Sequence, residues 1–284
     1  MDAVGQYLSD VAVRTLLQLL LLLGPALVLG LAMHLLAGFV ESRALAVMGR
    51  TVYLVLFGWL GTVIHETGHA MFCPLFGHRI TAFRPFSPDS RTGVLGYVEH
   101  EWNRRSLWAG LGNFFIGIGP VVLGTLVLYV ASIFLLGSDV LGRVPQVQLG
   151  DASEASFATA WSLGAGVLGT VLSTLGLVFR TENLGRWQFW VFLYLAFTVG
   201  TGIRLSPSDL KGSAWGFLVL TGGLLLLNLV TAWAGNVTDP LLRIVAPILG
   251  IFLGVMTFSL TFSLVLAVPI WGLSRLVPRR APPA

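Results

Sequence analysis

Three residues that could do chemistry lie within one stretch of five residues in an otherwise apolar segment. His65, Glu66 and His69 form the pattern His-Glu-x-x-His, inside a hydrophobic run from Val52 to Phe76. On an α-helix, side chains at positions i and i+4 lie on the same face, so both imidazoles can reach a single metal ion. The pattern therefore predicts a zinc site with His65 and His69 as ligands.

Glu66 is the third member of the pattern, and its expected role is that of a general base. Zinc lowers the pKa of a water molecule that it binds to about 7, which generates a nucleophile at neutral pH. Ionisable side chains in a membrane-spanning segment are costly and usually functional. Because a buried glutamate needs a cation or a proton, a metal site is favoured over a structural cluster bonded to neighbouring helices.

The composition shows what kind of protein carries this motif. Hydrophobic residues make up 55% of the 284 residues and charged residues 11%, with a mean hydropathy of +0.84. Soluble domains carry roughly 25% charged residues, so most of this surface must face lipid. The net charge of +4 is too small and too scattered to predict nucleic-acid binding. The single cysteine, Cys73, excludes an intrachain disulfide bond.

The hydropathy pattern predicts how often the chain crosses the bilayer. A helix needs about 20 mostly apolar residues to do so. We expect an all-α, multi-pass integral membrane protein of the cell (plasma) membrane, a single domain (1–284) with about seven transmembrane helices and a range of about six to eight. The segments that meet or approach the required length are 15–40, 51–76, 107–136, 156–179, 187–205, 213–235 and 244–276.

A polar segment lies between the second and third predicted spans. Residues 77–106 are much richer in charged side chains than the predicted spans on either side. Pro85, Pro88 and Gly93 interrupt any regular secondary structure there. The stretches 79–83 and 94–98 have the composition of extended chain, so a small hairpin or sheet is expected.

The motif and its surroundings resemble the site-2 protease family of intramembrane metalloproteases. The resemblance rests on a His-Glu-x-x-His-Ala motif in a hydrophobic helix followed by a short extended segment, and covers mainly residues 50–125 and 187–217. It implies a bound Zn²⁺, His65 and His69 as ligands, Glu66 as catalytic base, and an aspartate from a later span as third ligand. It also implies that an extended segment, here 79–83 or 93–98, pairs with an unwound substrate through main-chain hydrogen bonds.

Asp209 is the best match to the third ligand of the family, which usually lies in Leu-Asp-Gly. Alternatively, Ser206 as N-cap, Pro207 and Asp209 simply start a helix. With seven regular spans, Asp209 would emerge on the side opposite the 77–106 loop, away from His69. The site then closes only if Asp209 lies at a helix break within the bilayer, or if the span count is off by one. Other candidate oxygen ligands are Asp89, Glu99, Glu101 and Asp239.

Asn113 is a candidate substrate-binding residue. It lies in the stretch Gly112 to Pro120, which resembles the helix with Gly, Pro and Asn that follows the extended segment in the family. Its amide could bind the substrate backbone or the developing oxyanion, or it could bond a neighbouring helix. His78 and His100 are expected to be ordinary loop histidines.

The sequence therefore favours a zinc-dependent intramembrane endopeptidase. Its partners would be the lipid bilayer and a membrane-embedded or membrane-tethered protein substrate, with no nucleic acid. The alternative is a metal-binding membrane protein without proteolytic activity, such as a transporter or a sensor. The small number of intramembrane charges outside the motif disfavours a transporter. The sequence does not indicate an oligomeric state.

Overall fold

The computed structural model of the chain describes residues 3–89, 91, 93–137, 179–203, 206–234 and 238–276, together with scattered positions between 165 and 176. These residues are mostly helical. A π-helical turn (Leu54–Gly58) joins the second helix to the third, and a 3-10 turn (Ala232–Ala234) follows the seventh. In chain order the helices are α1 (Ala3–Met48), α2 (Arg50–Tyr53), α3 (Trp59–Leu75), α4 (Leu107–Leu136), α5 (Thr181–Leu184), α6 (Trp187–Gly202), α7 (Pro207–Thr231) and α8 (Thr238–Leu276).

Four helices in the described part of the chain are long and apolar enough to cross a membrane, namely α1, α4, most of α7 and the last 25 residues of α8. They indicate a membrane protein, as the composition predicts. The expected count of seven is not confirmed. The predicted span 51–76 folds as α2, the π-helical turn and α3, and 187–205 folds as the 16-residue α6. The predicted span 156–179 lies largely outside the described residues.

The polar loop after α3 contains a two-stranded antiparallel sheet, as expected. Strand β1 (Arg79–Arg84) pairs with β2 (Tyr97–Glu101). The pairing continues towards the turn, where the Ser87 N–H donates to Leu95 O at 2.7 Å. Gly93 makes the turn, with a φ of 77° and its N–H donating to Asp89 O, and Gly96 then lies beside Glu66 of α3.

Helix α6 runs in the same direction as α3. The Tyr194 hydroxyl donates to the carbonyl oxygen of Leu56 at 2.6 Å, and Gly202, eight residues later, lies beside His65. Residue numbers therefore rise together along the two helices.

Helix α4 runs opposite to α3. The indole N–H of Trp108 donates to Leu75 O at the end of α3, whereas Ile116 lies beside His69, further back along that helix. The polar loop thus connects two antiparallel helices.

Helix α7 runs opposite to α4 and therefore parallel to α6. Gly117 of α4 lies against Asp209, whereas Gly110 lies against Trp215. Higher residue numbers in α7 thus meet lower numbers in α4. The chain does not turn back between α6 and α7.

This geometry corrects the expectation that 187–205 and 213–235 are two antiparallel spans. They are two halves of one interrupted path, with the break between Gly202 and Ser206. On the α7 side of the break the cause is local, because a proline disfavours the helical conformation in the residue before it. Ser206, which precedes Pro207, is accordingly extended, with φ −78° and ψ 159°.

Candidate metal centre

The side chains of His65, His69 and Asp209 meet beside the break between α6 and α7. The two histidine Nε2 atoms are 3.2 Å apart. Asp209 Oδ1 is 3.3 Å from His69 Nε2, and Oδ2 is 3.6 Å from His65 Nε2. A tetrahedral ion with metal–ligand distances of about 2.0–2.2 Å places its ligand atoms about 3.4 Å from one another. The three side chains therefore have the spacing that such an ion requires.

The imidazole of His65 is oriented by the end of α6. Its Nδ1 lies 2.8 Å from the carbonyl oxygen of Gly202. A carbonyl oxygen only accepts, so Nδ1 carries the hydrogen and Nε2 presents its lone pair to the cluster. The Gly202 carbonyl is available because the last carbonyls of a helix have no donor within the helix. Helix α6 can approach because Gly61 lies directly against Thr198 and Gly202, where any side chain would overlap the backbone.

The imidazole of His69 is oriented in the same way by α4. Its Nδ1 lies 2.7 Å from the carbonyl oxygen of Ile116. Within a helix that carbonyl would accept from the residue four positions later, but Pro120 has no N–H. The helices are close at this point, since a Cβ atom at Gly68 would lie 2.7 Å from Gly119 O. In metal-binding histidines, the ring nitrogen that does not bind the metal commonly donates its N–H to a backbone carbonyl in this manner.

Asp209 caps α7 and faces the histidines at the same time. The Ser206 N–H donates to Asp209 Oδ2 at 2.7 Å, and the Asp209 N–H donates to Ser206 Oγ at 3.2 Å. This is a capping box. The helix-start interpretation of Asp209 is therefore confirmed, and it does not exclude a ligand role, because the carboxylate also lies within 3.6 Å of both imidazoles.

The donor set fits a divalent cation. Two imidazole nitrogens with outward lone pairs and one carboxylate repel one another at these distances unless they share a proton or a metal ion. Imidazole and carboxylate suit zinc and other first-row divalent ions. The geometry thus satisfies the condition set by the sequence, a helix break that brings Asp209 to the level of His65.

A cavity of about 660 Å³ gives access to this cluster. Glu66 lines it together with the three candidate ligands, and its side chain is 9% exposed. The segment from Gly93 to Val98 forms another wall. Gly96 lies against Glu66, because a Cβ atom at Gly96 would be 2.9 Å from Glu66 Cγ. The other polar residues of the lining include Tyr53, Thr62, His100, Asn113, Thr201, Ser206 and Ser208.

The remaining sequence candidates lie at different places. Asn113 lines the cavity, but its amide donates to Gly110 O in its own helix at 3.3 Å, not to a neighbouring helix. Asp89 accepts from the Arg91 N–H in the exposed turn. Glu99 and Glu101 are exposed on β2. The side chain of Asp239 is outside the described residues.

Sequence reasoning missed the two carbonyl oxygens that orient the histidines. One signal was available, because Pro120 inside an apolar helix frees the carbonyl of Ile116. The other carbonyl, that of Gly202, depends on where α6 ends. Comparisons with models of known protein families, with curated proteins and with solved structures found no match. The function of the chain is therefore inferred from its motif and from the geometry of this cluster.

Proposed function

We propose that the chain is a zinc-dependent intramembrane endopeptidase related to the site-2 protease family, located in the cell membrane. Its substrates would be membrane-embedded or membrane-tethered proteins. The observation that supports this most is the meeting of His65, His69 and Asp209 beside Glu66 in one cavity. Two requirements of such chemistry, a metal-binding set and a general base, are thus met by neighbouring residues.

The residues of the chain have distinct roles in this proposal. Zinc bound by His65, His69 and Asp209 would supply an activated water and polarise the scissile carbonyl. Glu66 accepts a proton from the attacking water and later delivers it to the leaving amine. The Nδ1–H bonds to Gly202 and Ile116 keep both imidazoles in the tautomer whose Nε2 is free to bind metal.

The substrate would lie along the extended segment that borders the cavity. A helical peptide bond is shielded, so the substrate must unwind locally before water can attack it. Of the two extended candidates, residues 93–98 line the cavity and residues 79–83 do not. This favours 93–98 as the segment that pairs with the substrate backbone.

Metal binding without proteolysis is the alternative function. A transporter or sensor needs ligands but has no need of a general base beside them. The position of Glu66 in the cavity therefore favours hydrolysis.

Two measurements on detergent-purified protein test the proposal. Zinc content is measured for the wild type, His65→Ala, Asp209→Ala and Glu66→Gln. Cleavage is measured on synthetic transmembrane peptides in vesicles, with mass spectrometry of products formed in ¹⁸O-labelled water. We expect zinc in the wild type and in Glu66→Gln, loss of zinc in the two ligand variants, and cleavage by the wild type alone.

Each part of the proposal can fail separately. A folded wild type that does not bind zinc would exclude the metalloprotease. Cleavage that persists in Glu66→Gln would remove Glu66 as the base. Zinc without cleavage of any peptide would favour the transporter or sensor.

A further inference from the structure

His78 and His100 form a hydrogen-bonded pair at the edge of the cavity. His78 is 4% exposed, and its Nε2 lies 2.8 Å from the carbonyl oxygen of Ala109 in α4. Because a carbonyl oxygen only accepts, Nε2 of His78 carries the hydrogen. In the neutral ring, Nδ1 of His78 is then an acceptor. It lies 3.0 Å from Nδ1 of His100.

This pair determines the tautomer of His100. Its Nδ1 donates to His78, so its Nε2 carries a lone pair and no hydrogen. Among the described residues, the bond to His78 is the one hydrogen bond that the side chain of His100 makes. Trp102 stacks on His78 with ring centroids 5.7 Å apart, which restricts the pair further.

His100 also lies where a bound substrate would pass. It belongs to β2, the strand that continues directly from the cavity wall 93–98, and its side chain lines the cavity with His69. Burial lowers the pKa of His100, and nearby His78 and His69 lower it further. The ring therefore remains neutral at pH 7 and can accept a hydrogen bond.

We propose that His100 is a substrate-binding residue whose Nε2 accepts a hydrogen bond from a backbone N–H of the polypeptide in the cavity. This inference rests on the proposed protease function. It predicts a sequence preference in the substrate. Because proline has no backbone N–H, it is disfavoured at the substrate position that meets His100. If His100 only helped to attach the sheet to α4 through His78, the bond from its Nδ1 to His78 would be sufficient.

Two substitutions separate these roles. In His100→Asn, the amide NH₂ can replace Nδ1 as donor to His78, but nothing replaces Nε2. In His100→Gln, the longer side chain can bring a carbonyl oxygen near the place of Nε2 but loses the geometry of the bond to His78. A binding role predicts a defect in His100→Asn that His100→Gln partly restores.

The experiment measures binding, so it does not depend on turnover. The probe is a fluorescein-labelled tripeptide hydroxamate of leucine and alanine, with a series in which one amide at a time is N-methylated. Dissociation constants are measured by anisotropy with zinc-loaded Glu66→Gln protein, with and without His100→Asn. We expect His100→Asn to weaken binding of the parent peptide about three- to tenfold, the value of one hydrogen bond. N-methylation at one position should weaken binding to the same extent, but only when His100 is present.

The outcomes are distinguishable. Equal effects of N-methylation with and without His100→Asn, while the parent peptide binds, would overturn the role of His100 and leave the proposed function intact. A parent peptide that does not bind zinc-loaded protein would overturn both. A lower thermal midpoint in His100→Asn with unchanged peptide affinity would identify a structural residue.

Discussion

The Nδ1–H of His69 donates to the carbonyl oxygen of Ile116 at 2.7 Å. That carbonyl has no donor within its own helix, because Pro120 stands four residues later in α4. A proline in one helix thus orients a candidate metal ligand in another.

Replacing this proline should weaken metal binding without weakening the fold. In Pro120→Ala, the new backbone N–H competes with His69 for the Ile116 carbonyl, and we expect zinc affinity to fall about tenfold, as for other residues that orient a metal ligand. Thermal stability should not fall, because alanine is preferred to proline inside a helix by about 3 kcal/mol. Competition with a zinc chelator gives the affinity. Pro25→Ala, in the interior of α1, is the matched control, and equal affinities in both variants would contradict the role of Pro120.

The cap of α7 should likewise affect the metal site. Ser206→Ala removes the oxygen that accepts from the Asp209 N–H, which typically costs about 1 kcal/mol. We expect zinc affinity to fall as well, because the loss of this bond loosens the first turn of α7, which carries the Asp209 carboxylate, although the Ser206 N–H still donates to Oδ2. Ser106 caps α4 in the same way, through the Ala109 N–H. Ser106→Ala should therefore lose similar stability and retain zinc. An equal loss of zinc in Ser106→Ala would show that zinc is lost through general destabilisation and not through the cap beside Asp209.

The contact between α3 and α6 should tolerate no side chain. In Gly61→Ala, the new methyl group would overlap the Thr198 carbonyl and displace Gly202 from His65. Overpacking of this kind costs about 1–3 kcal/mol, so we expect a lower thermal midpoint and weaker zinc binding. Gly38→Ala in α1 is the control, because a Cβ atom there has no atom within 4 Å. Equal thermal midpoints would contradict the close packing.

Gly96 should affect turnover and not metal content. In Gly96→Ala, the methyl group would meet Glu66 Cγ and the Arg84 and Pro85 carbonyls. A displacement of about 1 Å at a catalytic group can cost about 100-fold in rate. We expect a loss of that order in peptide cleavage at unchanged zinc content. Gly222→Ala, on α7 with no atom within 4 Å of the new Cβ, should cleave normally.

The low pKa of His100 predicts how stability changes with pH. Burial and the nearby His78 and His69 lower this pKa in the folded chain, whereas in the unfolded chain it is about 6.5. As the pH falls below that value, the unfolded state takes up the proton first, so this group destabilises the fold towards acid pH. Thermal midpoints at pH 7.5 and 5.5 should therefore differ more in the wild type than in His100→Asn. An equal difference in both proteins would show that His100 titrates normally.

Local patterns in the sequence were sufficient for several features. The run of apolar residues in 107–136 corresponds to α4, and the predicted extended stretch 79–83 corresponds to β1, whereas 94–98 only overlaps β2, which begins at Tyr97. The i and i+4 spacing placed His65 and His69 on one helix face, since helical periodicity depends on neighbours in the chain alone. Zinc binding and proteolysis, which also came from the motif, remain predictions.

Only the tertiary structure decided how Asp209 reaches the histidines. Hydropathy cannot distinguish two antiparallel spans from two halves of one interrupted path, because both give two apolar segments around a polar break. The direction of α7 depends on glycine contacts between distant parts of the chain, such as Gly117 with Asp209. The same holds for His78 and His100, which are 22 residues apart and are brought together where the start of β1 meets the end of β2. Sequence spacing therefore determined which residues could bind a metal, and long-range packing determined which of them meet.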